Sequence, residues 1–183
     1  RISMTTPTPR APNIGPNTAP TLEPISNRSI TLGQQLVFTV AASDSEQPGQ
    51  SLSFTLLAGE TAGASIHPTT GTFQWTPITA PATNAFTIAV TDSGTPLLSA
   101  SQSFSVVVHL PPTLRGFRNA SGELVFEWAS QPGQTCQVEY ADDLSSDEWS
   151  VLGSSIVGSG ATVQVTNPAP HSLQRFFRAR VMP

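Results

Sequence analysis

Apolar and polar residues alternate with a period of two over short stretches of the chain from residue 36 onward. Alternation of this kind places apolar side chains on one face of a strand that packs against a core. Turn-forming residues separate the stretches, and no stretch carries a helical repeat of useful length. The pattern predicts a β-sandwich of about seven strands. The apolar residues concerned are Leu36, Phe38, Val40, Leu52, Phe54, Leu56, Phe73, Trp75, Phe86, Ile88, Val90, Phe104, Val106 and Val108.

The alternation pauses at Leu110, Pro111 and Pro112 and then resumes, which predicts a boundary between two domains. The second run predicts a second, smaller β-sandwich, near the lower size for a domain that has one core and no disulfide or metal. Its apolar positions are Leu124, Phe126, Trp128, Cys136, Val138, Tyr140, Trp149, Leu152, Val163, Val165, Phe177, Ala179 and Val181.

The first sixteen residues carry proline at positions 7, 9, 12 and 16 and show no apolar periodicity. Such a stretch favours an extended, semi-rigid backbone. We therefore predict an all-β chain of two tandem immunoglobulin-like β-sandwiches. The predicted organisation is a Pro-rich linker over 1–16, a first sandwich over 17–110 and a second over 111–183.

Charge, apolar run length and cysteine content argue against nucleic-acid binding, membrane insertion and a reactive thiol. The 183 residues include eight basic side chains, all of them arginine, and twelve acidic ones, for a net charge of -4. A nucleic-acid-binding protein normally presents a basic face, which this composition does not provide. No apolar run approaches the ~20 residues of a membrane span, so we expect no membrane insertion. Cys136 is the only cysteine, and it alternates in phase with Val138 and Tyr140, which predicts a buried, inert thiol.

Several segments of the first predicted sandwich resemble the bacterial cadherin-like and immunoglobulin-like (He_PIG-type) modules. The resemblance implies a sandwich fold and an extracellular structural or adhesive role. The segments that carry it are Asn17–Pro20, Phe38–Asp44, Leu52–Leu56, His67–Phe73, Val90–Ser99 and Phe104–Val108.

The second predicted sandwich resembles the fibronectin-type-III-like repeats that close large secreted proteins of environmental bacteria. Residues 126–128, 138–144, 149–153 and 175–181 carry this similarity.

Residues 5–13 also resemble the closing segment of bacterial lamin-tail domains, with Arg10 where that pattern has glycine. The lamin-tail resemblance implies that a lamin-tail module precedes the chain in a longer protein.

The cadherin resemblance implies a calcium site at the pole where the chain enters the first sandwich. Calcium takes six to eight oxygen ligands, mostly carboxylates and carbonyls. The positions that match the cadherin ligands are Asn17, Asp44, Glu46 and Asp92. The segment after Phe73 and the exit linker lack the usual carboxylates, and a complete cadherin site borrows ligands from the preceding domain. The alternative is that Asp44 and Asp92 only hydrogen-bond backbone amides in their turns.

Other residues offer weaker chemistry. The acidic residues Asp142, Asp143, Asp147 and Glu148 read as a solvated loop, with a second cation site as the alternative. Trp75, Trp128, Trp149 and Tyr140 could stack on sugar rings, but Trp75 and Trp128 lie in phase with core positions, which leaves Trp149 as the best exposed aromatic. His67, His109 and His171 have no metal-site spacing.

These observations predict a non-catalytic extracellular module that acts as a spacer or adhesion segment of a larger secreted or cell-surface bacterial protein. Calcium is the one cofactor implied. The expected partners are neighbouring domains of the same protein and a cell-surface protein or polysaccharide, with no nucleic acid. The alternative function is a carbohydrate-binding accessory module of a polysaccharide-degrading enzyme, which an exposed aromatic platform would favour.

Overall fold

A computed structural model describes residues 15–45, 49–58, 63–145, 147–167 and 174–182. Every regular element in these ranges is a β-strand, which confirms the predicted all-β class. The strands are β1 (Thr21–Leu22), β2 (Arg28–Thr31), β3 (Leu36–Thr39), β4 (Ala42–Ser43), β5 (Ser53–Ala58), β6 (Ser65–Ile66), β7 (Thr72–Trp75), β8 (Ala82–Thr91), β9 (Ser99–His109), β10 (Arg115–Arg118), β11 (Leu124–Ala129), β12 (Thr135–Ala141), β13 (Ser150–Val157), β14 (Thr162–Asn167) and β15 (Phe176–Val181).

Strands β1 to β9 build the first sandwich. One sheet has the order β2-β9-β8-β5, a second has the order β3-β7-β6, and β1 pairs with β4 in a short ribbon. Strand β5 runs antiparallel to β8, with Phe54 opposite Val90. Strand β2 runs parallel to β9, with Arg28 opposite Val106 and Thr31 opposite His109. In this sheet β2 and β9, the first and last strands in chain order, are therefore neighbours joined by four residue pairs.

Four phenylalanine rings form the centre of the first core. Phe73 lies with its ring centroid 5.1 Å from Phe38, 5.2 Å from Phe86 and 5.5 Å from Phe104. These rings come from strands of both sheets, so the alternation seen in the sequence directs them to one interior. Edge-to-face and tilted arrangements at such distances are the favourable ones for aromatic pairs.

The turn between β6 and β7 closes one end of this core. The ring nitrogen Nδ1 of His67 accepts the backbone N–H groups of Thr69 and Thr70, and Gly71 donates its N–H to the His67 carbonyl. Gly71 has a φ of 67°, and an added Cβ would lie 2.7 Å from the carbonyl oxygen of Val40. A glycine is needed here because the left-handed backbone and the close approach both exclude a side chain.

Strands β10 to β15 build the second sandwich from two three-stranded sheets, β10-β11-β14 and β13-β12-β15. Phe126, Trp128, Cys136 and Val138 are its buried centre, and the Phe126 ring lies 4.3 Å from that of Phe177 on the opposing sheet. The tandem immunoglobulin-like sandwiches predicted from the alternation are thus both present.

By the density of internal contacts the described residues divide into two compact units. The first contains residues up to Ile25, Val37–Gln74 and Phe86–Phe104. The second contains Ser26–Leu36, Trp75–Ala85 and the residues from Ser105 onward. The second unit thus includes the last strand residues of β9, the segment 110–114 and all of β10 to β15.

Candidate functional site

The loop that follows β8 is organised around one buried carboxylate. Asp92 is 3% exposed. Its Oδ1 accepts the backbone N–H of Gly94 at 3.0 Å and that of Leu98 at 3.0 Å, while its own N–H donates to the Leu98 carbonyl. An Asp that accepts an amide two residues later is a turn former. The geometry therefore matches the turn-forming alternative given for Asp92.

The entry segment is fastened to this loop through Asn17. The side-chain Nδ2 of Asn17 donates to Asp92 Oδ2 at 3.0 Å and to the Pro96 carbonyl at 2.8 Å. Its Oδ1 accepts a hydrogen bond from Gln50 Nε2. We call Asn17, Gln50 and the loop 92–98 the entry clamp. One amide thus links three segments that are far apart in sequence.

Glycine at position 94 allows the Asn17 amide to approach the loop. A Cβ built on Gly94 would collide with the Oδ1, Cγ and Nδ2 atoms of Asn17. The backbone of Ser51 also donates to Ser93 Oγ at 3.1 Å, which joins the segment that carries Gln50 to the same loop. The clamp is therefore a close-packed arrangement in which every polar atom of the Asn17 side chain has a partner.

Two of the four predicted calcium ligands, Asn17 and Asp92, meet in this clamp. Asp44 is half-buried and accepts the backbone N–H of Ser45 at its Oδ1, and Glu46 lies outside the described residues. Within the described ranges no three His, Cys, Asp or Glu side chains are grouped so that they could hold a metal ion. The nitrogen of the Asn17 amide, rather than its oxygen, faces Asp92, so a cation at this point would have to displace an existing hydrogen bond.

The aromatic residues considered for sugar stacking are either buried or have one ring face occupied. Trp75 and Trp128 are 3% and 2% exposed and belong to the two cores, as their alternation predicted. The half-buried Trp149 has the Arg178 guanidinium carbon 3.9 Å from its ring centroid. The Arg175 guanidinium carbon likewise lies 4.2 Å from the ring centroid of Tyr140. One face of each of these two rings is therefore occupied by a cation of the chain itself.

A charged cluster that was not predicted from the sequence lies beside Trp149. Glu139 on β12 is buried, and its Oε2 accepts the Arg178 Nε–H at 2.8 Å while Arg180 Nη1 lies 3.4 Å from Oε1. Glu139 and Arg178 are directly paired across β12 and β15. The sequence does contain a signal for this cluster: in the alternation along β12 and β15 both residues fall between core-facing positions, which places them on the face of the sheet away from the core.

The acidic loop after β12 has partners of its own. Asp142 forms an ion pair with Arg175, with 2.7 Å between Oδ1 and Nε. Asp143 accepts the side-chain hydroxyl and the backbone N–H of Ser145, and these hydrogen bonds lower the pKa of its carboxyl. The side chains of Asp147 and Glu148 are exposed. This arrangement fits the solvated-loop interpretation.

The remaining candidates have structural roles where they are described. Cys136 is buried, burial raises the pKa of its thiol, and its Sγ donates to Gln134 Oε1 at 3.6 Å, as expected of an inert thiol. His109 Nδ1 lies 3.3 Å from Gln131 Oε1. His171 and the lamin-tail-like residues 5–13 lie outside the described residues. Over the described part of the chain, no helix has the length and apolarity needed to cross a membrane.

Comparison with known families decides the identity of the first sandwich. Residues 19–109 match the family model described as "Putative Ig domain". Residues 19–109 belong to this Ig domain family. The matched segment includes Gln50 and the loop 92–98, whereas Asn17 lies just before its start. The Ig domain therefore uses a residue of its incoming chain to complete the entry clamp.

Solved structures similar to the chain include cadherin domains. The protocadherin GammaB4 extracellular domain is 16% identical, with a TM-score of 0.46, over 67% of this chain and 25% of that one. Mouse Cadherin-23 EC22-24 is 21% identical, with a TM-score of 0.43, over 50% of this chain and 31% of that one.

A nucleoside hydrolase-related hypothetical protein from Saccharophagus degradans, described as associated with carbohydrate metabolism, is 14% identical with a TM-score of 0.38, over 51% of this chain and 26% of that one. The chain thus spans less than a third of the length of each of these three. Comparison with curated protein sequences finds no significant match.

Proposed function

We propose that this chain is a non-catalytic extracellular structural module, a spacer within a larger secreted or cell-surface bacterial protein. Membership of the Ig domain family supports a structural or adhesive role, because such domains serve mainly as scaffolds. The second sandwich, for which we propose a fibronectin-type-III-like fold over 111–183, would extend the spacer. Its partners would be the neighbouring domains of the same protein.

The entry clamp carries this proposal. A spacer has to hold the chain that enters it in a fixed direction, and Asn17 does this through hydrogen bonds to Asp92, Pro96 and Gln50. The acceptor Asp92 is buried, so its hydrogen bond with Asn17 is partly shielded from water, whereas the bond from Asn17 to Pro96 is exposed. The clamp would therefore fix the point and direction at which the Pro-rich linker joins the Ig domain.

A calcium-bound joint is the second candidate, and the meeting of Asn17 with Asp92 favours it. Calcium would need further oxygen ligands, for which Asp44, Glu46 and the preceding module are the proposed sources. The two candidates differ in one respect that can be measured. The hydrogen-bonded clamp stabilises the fold without metal, whereas a calcium joint makes the unfolding free energy rise with the logarithm of the calcium concentration once calcium exceeds its dissociation constant.

The sharpest test is the near-isosteric substitution Asn17→Asp. It removes the Nδ2 donor and sets a second carboxylate against Asp92. We expect the variant to lose about 1–3 kcal/mol of unfolding free energy, the usual consequence of leaving a buried acceptor unpaired. Thermal melts in chelator, in millimolar calcium and in millimolar magnesium provide the measurement.

The response to calcium separates the two candidates. With a hydrogen-bonded clamp, Asn17→Asp melts lower than the native chain under all three conditions. With a calcium joint, calcium raises the melting temperature of the native chain and raises that of Asn17→Asp even more, while magnesium does not. Asn27→Asp is the matched control, because Asn27 accepts the Ser105 N–H through its oxygen, and aspartate retains that acceptor.

Carbohydrate binding is the alternative function, and it has a direct test. The spacer proposal predicts that the chain does not sediment with insoluble cellulose, chitin or xylan. Retention by one of these polysaccharides that is lost in Trp149→Ala would reject the spacer function in favour of a carbohydrate-binding module. Trp149 is the relevant residue because Trp75 and Trp128 are core residues whose removal would unfold their sandwiches.

A further inference from the structure

The side-chain amide of Gln131 pairs in both directions with the backbone of Leu110. Gln131 Nε2 donates to the Leu110 carbonyl at 2.9 Å, and Gln131 Oε1 accepts the Leu110 N–H at 3.2 Å. The buried Gln134 adds a second donor to the same carbonyl, through Nε2 at 3.2 Å. These contacts all lie inside the second compact unit. Both polar groups of the Leu110 backbone are therefore satisfied by side chains, in the way that a neighbouring strand would satisfy them.

The turn that carries Gln131 is itself held firmly. Ser130 donates through both its N–H and its hydroxyl to the Ala161 carbonyl, at 3.1 and 2.6 Å. Gly133 donates to the Gly158 carbonyl, and Gly158 donates to the Gln134 carbonyl at 2.8 Å. A Cβ on Gly158 would collide with the Gln131 carbonyl oxygen, so the two turns are in direct backbone contact. The Gln131 side chain therefore extends from a rigid base.

We propose that Gln131 and Gln134 form an amide lock that fastens the linker at Leu110 to the turn between β11 and β12. The sequence Leu110-Pro111-Pro112 has the composition of a stiff linker, and a proline also restricts the backbone of the residue before it. That restriction does not attach Leu110 to any neighbouring segment, and the lock supplies the attachment. The use of the lock in stiffening a spacer rests on the proposed function, whereas its hydrogen bonds do not depend on that function.

Glutamine is suited to this task for a simple reason. Its amide presents one donor and one acceptor side by side, which is the pattern that a peptide group needs from a partner. Leu110 is followed by Pro111, which has no N–H. The linker therefore has only one backbone donor over Leu110–Pro112, and Gln131 is its acceptor.

Amide hydrogen exchange of the full chain tests the lock. In Gln131→Ala, the Leu110 N–H loses its acceptor, and we expect it to exchange about tenfold faster than in the native chain, as the loss of a pair of hydrogen bonds implies. The Val138 amide in the second core should not change, which shows that the event is local. Gln164→Ala is the matched control, because Gln164 is exposed in the same sandwich and its described hydrogen bond goes to Glu127 across the sheet surface, away from Leu110.

A second variant checks the direction of each bond. Gln131→Glu keeps an acceptor for the Leu110 N–H but replaces the donor to the Leu110 carbonyl by a carboxylate oxygen, so we expect exchange between that of the native chain and that of Gln131→Ala. Native-like exchange of Leu110 in Gln131→Ala would overturn the lock, as would exchange of the native Leu110 amide at the rate of an unstructured peptide. None of these readouts depends on calcium or polysaccharide, so failure of the lock and failure of the spacer function are separable.

Discussion

Cys136 releases its proton at a different pH in the folded chain than in the unfolded chain. The thiol is buried in the second core, and burial raises its pKa. In the unfolded chain a cysteine releases its proton near pH 8.5. Above that pH the unfolded state therefore binds fewer protons than the folded one, and the free energy of unfolding falls as the pH rises. Below about pH 8 both states are protonated, and the thiol has no effect on the pH dependence.

This reasoning predicts a pH-dependent difference between the native chain and Cys136→Ala. The native chain should lose stability between pH 8 and pH 9.5, and the variant should not show this loss. The variant should carry instead a constant cost of about 1 kcal/mol for the missing side chain. Urea denaturation at pH 7, 8.5 and 9.5 measures both effects, and parallel curves for the two proteins would contradict the prediction.

Single residues were predictable from the sequence where their position in a strand decided their environment. Trp75, Trp128 and Cys136 lie in phase with apolar neighbours, and their burial follows from that phase. Gln50 and Gln131 were not predictable, because each acts from a loop on a residue that is distant in the sequence. The partner of such a side chain depends on how the loops converge after folding, and no local pattern records it.

At the scale of elements, the pair β12 and β15 depends on the ion pair between Glu139 and Arg178. Arg178 is 44% exposed in its side chain, whereas Glu139 is only 5% exposed. Arg178→Ala would leave a buried carboxylate with Arg180 as its remaining cation, at 3.4 Å. A buried charge deprived of its closest partner is strongly unfavourable.

We therefore expect Arg178→Ala to lower the unfolding free energy by about 2–4 kcal/mol. The same change should alter the fluorescence of Trp149, because the guanidinium no longer covers its ring. Arg175→Ala is the matched control: Arg175 is 13% exposed, but its partner Asp142 is 53% exposed, so the carboxylate left behind is solvated and the lost ion pair should cost about 1 kcal/mol or less. Equal effects of the two substitutions, measured by urea denaturation, would show that the buried carboxylate is not stabilised by Arg178.

Strands were predictable where they are long enough to show an alternation. Strands β8, β9, β11 and β12 were all expected, because apolar residues alternate along them. The two-residue strands β1, β4 and β6 were not, since two residues cannot show a period. Strand β10 was missed for another reason: its four residues, Arg115–Arg118, are all exposed, so backbone pairing with β11 holds it without an apolar face.

At the scale of the whole molecule, the sequence predicted tandem sandwiches, and the structure contains them. The boundary predicted at residue 110 stays a prediction, because contact density groups Ser26–Leu36 and Trp75–Ala85 with the residues from Ser105 onward. The sequence places two proline residues at that point but does not reveal that glutamines hold the residue before them. The calcium ligands likewise stay predictions, with Asn17 and Asp92 brought together and Glu46 outside the described residues.

The parallel pairing of β2 with β9 has a consequence for a protein under tension. If the chain is pulled at its two ends, β2 is drawn toward its start and β9 toward its end, so the two strands slide in opposite directions along their common length. The hydrogen bonds between Arg28–Thr31 and Val106–His109 then bear the force together, instead of opening one after another as in a hairpin that is peeled apart. The first sandwich is thus built to resist extension along the direction of the chain.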